Sequence, residues 1–178
     1  MVKNILITGG AGFIGSKLSL KLIEKGYKVR VLDSLSTQIH GENAYTSQLY
    51  LSIKDKVEFM EGDVRDLYDW KKALRGQDAV IHLAAETGTG QSMYEVERYV
   101  NVNVRGTAIL LDLLANSEHH IQKVVLASSR SIYGEGKYLC KIHQEVYPLE
   151  RVEHHLYSGD FNPKCPVCNQ TVELKATD

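Results

Sequence analysis

The 178-residue sequence predicts a doubly wound α/β fold, with a parallel sheet covered by helices on both faces. Two observations carry that expectation. Short apolar runs alternate with helical patterns along residues 4–127, an order that implies parallel strands joined by right-handed crossovers. Polar and glycine punctuation gathers where each strand stops, at residues 8–12, 33, 62–64, 84–86 and 128–130. That is the side on which open parallel sheets bind ligands.

The elements follow in order. Ile5-Leu6-Ile7 is a buried strand; it stops at Thr8-Gly9-Gly10, and Phe13-Ile14-Gly15 opens a helix. The glycines fit Gly10-x-Gly12-x-x-Gly15 or Gly9-x-x-Gly12-x-x-Gly15. Either spacing gives a tight turn, bare backbone for a pyrophosphate and a close helix–sheet contact at Gly15. The helix N-terminus then attracts the phosphates. Leu18, Leu20, Leu22 and Ile23 continue that helix, and Gly26 is a fitting stop. Residues 27–32 form a second strand ending in Asp33, 18 residues after Gly15. A carboxylate there hydrogen-bonds an adenosine ribose and repels a 2′-phosphate, which favours NAD over NADP; a plain strand-end turn acid is the alternative.

Residues 34–56 are polar and irregular, with a short helix expected near 44–53. Residues 57–61 form a third strand, and Asp66 caps a helix running to Leu74. After the turn Gly76-Gln77-Asp78, residues 79–83 form a fourth strand, apolar as a doubly covered strand should be. A long helix is expected over 93–116, with Leu110, Leu111, Leu113 and Leu114 as its core face. Residues 123–127 form a fifth strand.

Composition narrows the function. A hydrophobic content of 43% supports a sizeable core. The net charge is -1 with no basic block, so nothing favours nucleic acid or an anionic membrane as partner. No apolar run is long enough for a transmembrane helix, and glycines interrupt the first run too soon for a signal peptide. A cytoplasmic location is the default. Three cysteines, an odd number, argue against a secreted disulfide framework.

The strand ends TGGAGFIGS (8–16), LDSLS (32–36), GDVRD (62–66), VIHLAAETG (80–88), NVRGT (103–107) and LASSRSIYGEG (126–136) resemble the extended short-chain dehydrogenase/reductase family in its NAD-dependent epimerase/dehydratase branch. The resemblance implies a Rossmann-like sheet, present here only in part. It implies that Gly9, Gly12, Phe13 and Ile14 hold the pyrophosphate of NAD, with Gly15 completing the loop. Asp33, with Ser34 nearby, would bind the ribose, and Asp63 and Val64 would flank the adenine. Leu83, Ala84 and Ala85 would line the path to the nicotinamide, with Asn103 beside it. Ser129 matches the family's catalytic Ser/Thr, which hydrogen-bonds the sugar hydroxyl being oxidised; a serine capping the next turn is the alternative.

The chemistry implied is transient hydride transfer from a nucleotide sugar to NAD, with a tyrosinate as base. Dehydratases of the branch carry an acid directly after the catalytic Ser/Thr. Arg130 and Ser131 stand there, so the resemblance leans to a 4-epimerase. A sugar-nucleotide dehydrogenase and a non-catalytic NAD-binding module are the other readings. A homodimer through the 93–116 helix is implied for the full-length protein.

The family's Tyr-x-x-x-Lys pair is expected on the helix after the fifth strand's loop. Tyr50/Lys54, Tyr68/Lys72 and Tyr133/Lys137 match the spacing. The first two precede the fourth strand. Tyr133 runs into Gly134-Glu135-Gly136, too glycine-rich for a helix interior, and is expected to pack at that turn. The chain therefore reads as the N-terminal portion of a longer enzyme, incomplete by itself for turnover.

Residues 1–136 are assigned to the NAD-binding domain and 137–178 to a small zinc-ribbon-like insertion. The tail holds Cys140-x-x-His143 and Cys165-Pro-Val-Cys168, separated by 21 residues. Two such pairs supply four ligands for a structural tetrahedral Zn²⁺. Asn169 suits the left-handed residue that closes a knuckle, and residues 137–142 and 171–174 can pair as short strands. Three reduced surface cysteines are the bland alternative. His154 and His155 are spare ligand candidates without paired spacing. His119 and His120 suit a helix C-terminus, and His82 reads as a satisfied core histidine.

Overall fold

The computed structural model describes residues 2–174 of the chain. These divide into two compact units, one up to Ala127 and one from Ser128.

In the first unit β1 (Asn4–Thr8), α1 (Phe13–Glu24) and β2 (Lys28–Asp33) form the opening β-α-β. The irregular stretch contains α2 (Thr37–His40), a 3₁₀ turn (Ala44–Thr46) and α3 (Gln48–Ile53). Then come β3 (Glu58–Glu61), α4 (Leu67–Leu74) and β4 (Ala79–His82). The helical stretch that follows comprises α5 (Thr89–Ser92), α6 (Val96–Tyr99), a π-helical turn (Val100–Arg105) and α7 (Gly106–Asn116), and β5 (Lys123–Leu126) comes last. Two expectations are corrected here. α2 was not foreseen, and the helix expected over 93–116 begins at Val96 and carries a π turn.

All five strands are parallel, in the order β3-β2-β1-β4-β5. The doubly wound α/β fold is thus as expected. Strand alternation sends Ile5 and Ile7 to one face and Leu6 to the other. On the first face Val29, Val31, Ile53 and Ala79 join them under Leu18 and Leu22 of α1. On the second face Leu32, Val64, Trp70, Ala73, Val80, Leu110 and Leu113 surround Leu6, drawn from β2, the loop after β3, α4, β4 and α7. Chain order reverses between β1 and β4, so the topological switch point lies beyond Thr8 and His82, which pair in register.

The second unit has a 3₁₀ turn (Arg130–Tyr133), β6 (Tyr138–Cys140), β7 (Gln144–Val146), α8 (Glu153–Tyr157) and β8 (Glu173–Leu174). β6 is the middle of a three-stranded antiparallel sheet, paired with β7 and β8. The β6–β8 pairing matches the strand pair expected from the flanks; β7 and α8 are additions. Among the described residues its buried apolar set is Tyr138, Cys140, Val146, Cys165 and Val172.

Candidate functional site

The glycine loop is built by main-chain hydrogen bonds. Gly9 N–H donates to the Leu32 carbonyl at 2.9 Å and Gly12 N–H to the Gly9 carbonyl at 3.2 Å. Gly9 sits at φ +66°, and a Cβ there would lie 2.7 Å from Ala84 N and 2.9 Å from the Leu83 carbonyl carbon. The loop therefore presses against the end of β4 at the switch point. A Cβ on Gly15 would strike the Gly9 carbonyl oxygen, so α1 can start this close to the loop only with glycine there. Phe13 and Ile14 open α1 with exposed side chains, 73% and 66% accessible. Their N–H groups lie in the first helical turn, which has no intrahelical acceptors, and are free to meet an anion.

Asp33 is buried at the end of β2, and its carboxylate already holds two main-chain groups. Oδ2 accepts from Ala11 N–H and Oδ1 from Leu35 N–H, both at 2.9 Å. Ala11 belongs to the glycine loop, so Asp33 fastens the loop to β2. A carboxylate has about four lone-pair sites, so acceptor capacity remains, with His40 Nε2 3.9 Å from Oδ1. Asp33 thus makes the turn bond of the bland alternative and keeps acceptor capacity. Leu35 follows at φ +51°, a left-handed conformation that strains a bulky side chain. Ser34 between them is exposed.

Asp63, beyond β3, is engaged by Arg65, whose Nε lies 2.9 Å from Oδ2. Burial works upward on the Asp63 carboxyl, but Arg65 and, more weakly, Arg105 outweigh it and hold it below its ordinary value. Val64 turns its side chain into the core and gives its carbonyl to Trp70 Nε1 at 2.7 Å. It therefore offers only its N–H to a ligand.

Beyond β4, six residues form one directional network. Ala84 N–H donates to Thr8 Oγ1 at 3.3 Å, and Thr8 Oγ1 lies 2.6 Å from His82 Nδ1. His82 Nε2 lies 3.1 Å from Thr107 Oγ1, whose hydroxyl donates to the Asn103 carbonyl at 2.8 Å. Thr107 has a single hydroxyl proton, already donated, so His82 donates from Nε2 and accepts from Thr8 at Nδ1. Burial pushes the His82 imidazole down to about 4, so it is neutral at pH 7. Asn103 closes the chain: its Oδ1 accepts from Glu86 N–H at 2.8 Å and its Nδ2 donates to the Glu86 carbonyl at 3.1 Å. The main chain through Ala84, Ala85 and Glu86 is thereby fixed from both sides. Sequence reasoning placed Asn103 beside a ligand and missed this clamp. Thr8 was missed entirely, and its one signal was a polar residue at the end of an apolar strand.

Ser129, in the second unit, caps the 3₁₀ turn, and its Oγ accepts from Ser131 N–H at 3.1 Å. The hydroxyl remains free to donate. None of the Tyr-x-x-x-Lys matches forms a catalytic pair. Tyr50 packs edge-on to Phe59, and Tyr68 is an exposed residue of α4. Tyr133 is 79% exposed, not packed, and Lys137 pairs with Glu145 at 2.8 Å.

The second unit also brings Cys140, His143, Cys165 and Cys168 together, with all four ligand atoms within 4.8 Å of one another. The first pair straddles the β6–β7 turn, closed by Gln144 at φ +60°. The second is closed by Asn169 at φ +58°, the left-handed residue expected there, whose N–H donates to the Cys165 carbonyl at 2.9 Å. Main-chain N–H groups of His143 and Ile142 pull the Cys140 thiol down to about 6. His154 and His155 in α8 meet edge to face, outside the cluster.

No helix among the described residues is long and apolar enough to cross a membrane. The family model of the NAD dependent epimerase/dehydratase family matches residues 5–156. The chain is 40% identical over 162 residues to a dTDP-L-rhamnose 4-epimerase of Burkholderia thailandensis, covering 90% of this chain and 44% of that protein. It is 33% identical over 169 residues to a UDP-glucose 4-epimerase of Bos taurus, covering 92% of this chain and 45% of that protein. Among solved structures it resembles a UDP-glucose 4-epimerase of Bifidobacterium longum in complex with NAD⁺ and UDP. The TM-score is 0.62 at 29% identity, over 74% of this chain and 38% of that one. The chain thus spans less than half the length of these relatives. A family match running from β1 into α8, laid over a parallel sheet with its glycine loop at the switch point, means that the chain belongs to the NAD-dependent epimerase/dehydratase family.

Proposed function

We propose that this chain is the cofactor-binding portion of an NAD-dependent nucleotide-sugar 4-epimerase. One observation carries the reading: the bare-backbone glycine turn at the switch point, pressed by Gly9 against Ala84, with the Asp33 carboxylate fastened to it through Ala11. These residues suit NAD. The Phe13 and Ile14 N–H groups face where a pyrophosphate would sit. Asp33 keeps acceptor capacity for ribose hydroxyls, and its charge disfavours a 2′-phosphate. Ser34 adds an exposed hydroxyl beside it. Asp63 and the Val64 N–H would flank the adenine, while Leu83, Ala84, Ala85 and Asn103 would border the nicotinamide end.

NAD, when bound, supplies reversible hydride acceptance from the sugar carbon. The chain's own part is to bind, orient and exclude water. The clamp of Asn103 on Glu86 and the Thr8–His82–Thr107 network hold the β4 loop still while the sugar reacts. Ser129 would donate its hydroxyl proton toward the sugar oxygen. Arg130 and Ser131 offer no carboxylate for eliminating water, which favours epimerisation over dehydration. The three relatives named above, all 4-epimerases, favour it too. Two readings go with this one. The full-length protein would be a homodimer, for which exposed Val100, Val104 and Leu111 on the π turn and α7 offer an apolar face. The cytoplasm is the proposed location.

The test uses the full-length protein with UDP-glucose and dTDP-rhamnose as trial substrates. Interconversion at C4 without net NADH, with NAD retained through purification, is the expected result. Asp33→Ala should lower NAD affinity at least about tenfold, the loss of about 1.4 kcal/mol or more for two hydrogen bonds to a charged acceptor. Net NADH release would replace the epimerase with a dehydrogenase. NAD binding without turnover of any nucleotide sugar would leave a binding module.

A further inference from the structure

We propose that Cys140, His143, Cys165 and Cys168 bind one Zn²⁺ in a closed tetrahedral site, and that this ion does for the second unit what a hydrophobic core does for the first. A zinc tetrahedron with Zn–S bonds of about 2.3 Å and Zn–N of about 2.0 Å has edges of about 3.8 Å between sulfurs and about 3.5 Å between sulfur and nitrogen. Three of the cluster's six edges have close to those lengths, and all six are within 4.8 Å. Cys140 Sγ lies 3.7 Å from Cys168 Sγ and 3.7 Å from His143 Nδ1, and Cys165 Sγ lies 3.5 Å from the same nitrogen. The sulfurs are far beyond the roughly 2.05 Å of a disulfide. Thiols are weak hydrogen-bond partners, so contacts among themselves give three of them and an imidazole little reason to converge. A central cation gives them one.

The donor set selects the metal. Three thiolates and one imidazole in a tetrahedron suit Zn²⁺, whereas Mg²⁺ and Ca²⁺ take oxygen ligands. Because Nδ1 is the nitrogen near both sulfurs, His143 ligates through Nδ1. Four protein ligands leave no open position, so the site is structural and has no part in hydride chemistry.

The second unit needs such an ion. Of its five buried apolar residues among those described, Cys140 and Cys165 are ligands themselves in this proposal. Its strands are two or three residues long, and Tyr147, Leu149, Tyr157 and Phe161 are more than half exposed. A unit with so small a core gains most from a staple. The ion also steadies the segment after Ser129. Glu135 pairs with Arg151 at 2.8 Å and Lys137 with Glu145 at 2.8 Å, tying residues 135–137 to the ribbon.

The cluster shares no residue with the proposed cofactor site, so either reading can fail alone. The test is made on the 178-residue chain, purified without chelator. Metal analysis should find one zinc per chain. Exchange with Co²⁺ should give the ligand-field bands of tetrahedral cobalt and thiolate-to-cobalt charge transfer. His143→Ala and Cys168→Ser should weaken metal binding at least about tenfold. His143→Cys, a four-thiolate site, should keep Co²⁺ and shift its bands to the red. His155→Ala should change nothing. Chelation should open residues 128–174 to protease while 1–127 resists. Zinc near zero even after refolding in excess Zn²⁺, an unchanged cobalt spectrum in His143→Ala, or a native disulfide among the three cysteines would each overturn the proposal.

Discussion

His82 is a buried imidazole whose ordinary pKa is about 6.5 and which burial holds at about 4 in the folded chain. The folded state resists a proton that the unfolded state accepts. Its contribution to stability is therefore complete above about pH 6.5 and is lost progressively as pH falls toward 4, by an amount on the order of 3 kcal/mol. Chemical denaturation of wild type and His82→Gln across pH 7 to 4 checks this: the variant should be less stable at pH 7 and show a flatter decline. Gly9→Ala should destabilise the chain by about 2–4 kcal/mol, since the new methyl must both hold φ +66° and displace Ala84. A thermal melt reads the loss, and equilibrium dialysis against NAD should show weaker binding. At this scale the loop was legible because its chemistry is main-chain chemistry, and glycines mark where a backbone must be bare. The Asn103–Glu86 clamp was not, because a side-chain amide gripping a peptide 17 residues away leaves no sequence pattern.

Asp66 was read from sequence as the cap of α4, and its Oδ1 does accept from Tyr68 N–H at 2.7 Å and Asp69 N–H at 3.0 Å. Asp66→Ala should cost about 1 kcal/mol and lower Tm by a few degrees. Capping is local, so a local signal finds it. The π turn at Val100–Arg105 is local too, but it adds one residue to a helical turn without changing composition, and a hydrophobic period cannot register that. The turn carries Asn103, so the element least visible in sequence positions one of the residues that matter most. β7 was missed for another reason. Three residues of mixed polarity carry too little alternation, and only pairing with β6 makes them a strand.

For the whole molecule, strand and helix alternation sufficed to predict the sheet, since parallel pairing and handed crossovers leave few topologies. The convergence of Cys140, His143, Cys165 and Cys168 was legible from their spacing alone, as apolar periodicity has little to report where a unit's core is so small. Full-length protein should sediment as a dimer, and Val104→Glu should shift it toward monomer if the exposed Val100–Val104–Leu111 face is the contact. The strand order has one further consequence. β1 lies at the centre, β2 and β3 extend the sheet in one direction, and β4 and β5 then extend it in the other. A ribosome delivering the chain from its N-terminus would supply each strand after the neighbour it pairs with, so the sheet can grow outward during synthesis. Among the described residues β5 is the last strand of that sheet, and Val124, Val125 and Leu126 on it are partly exposed.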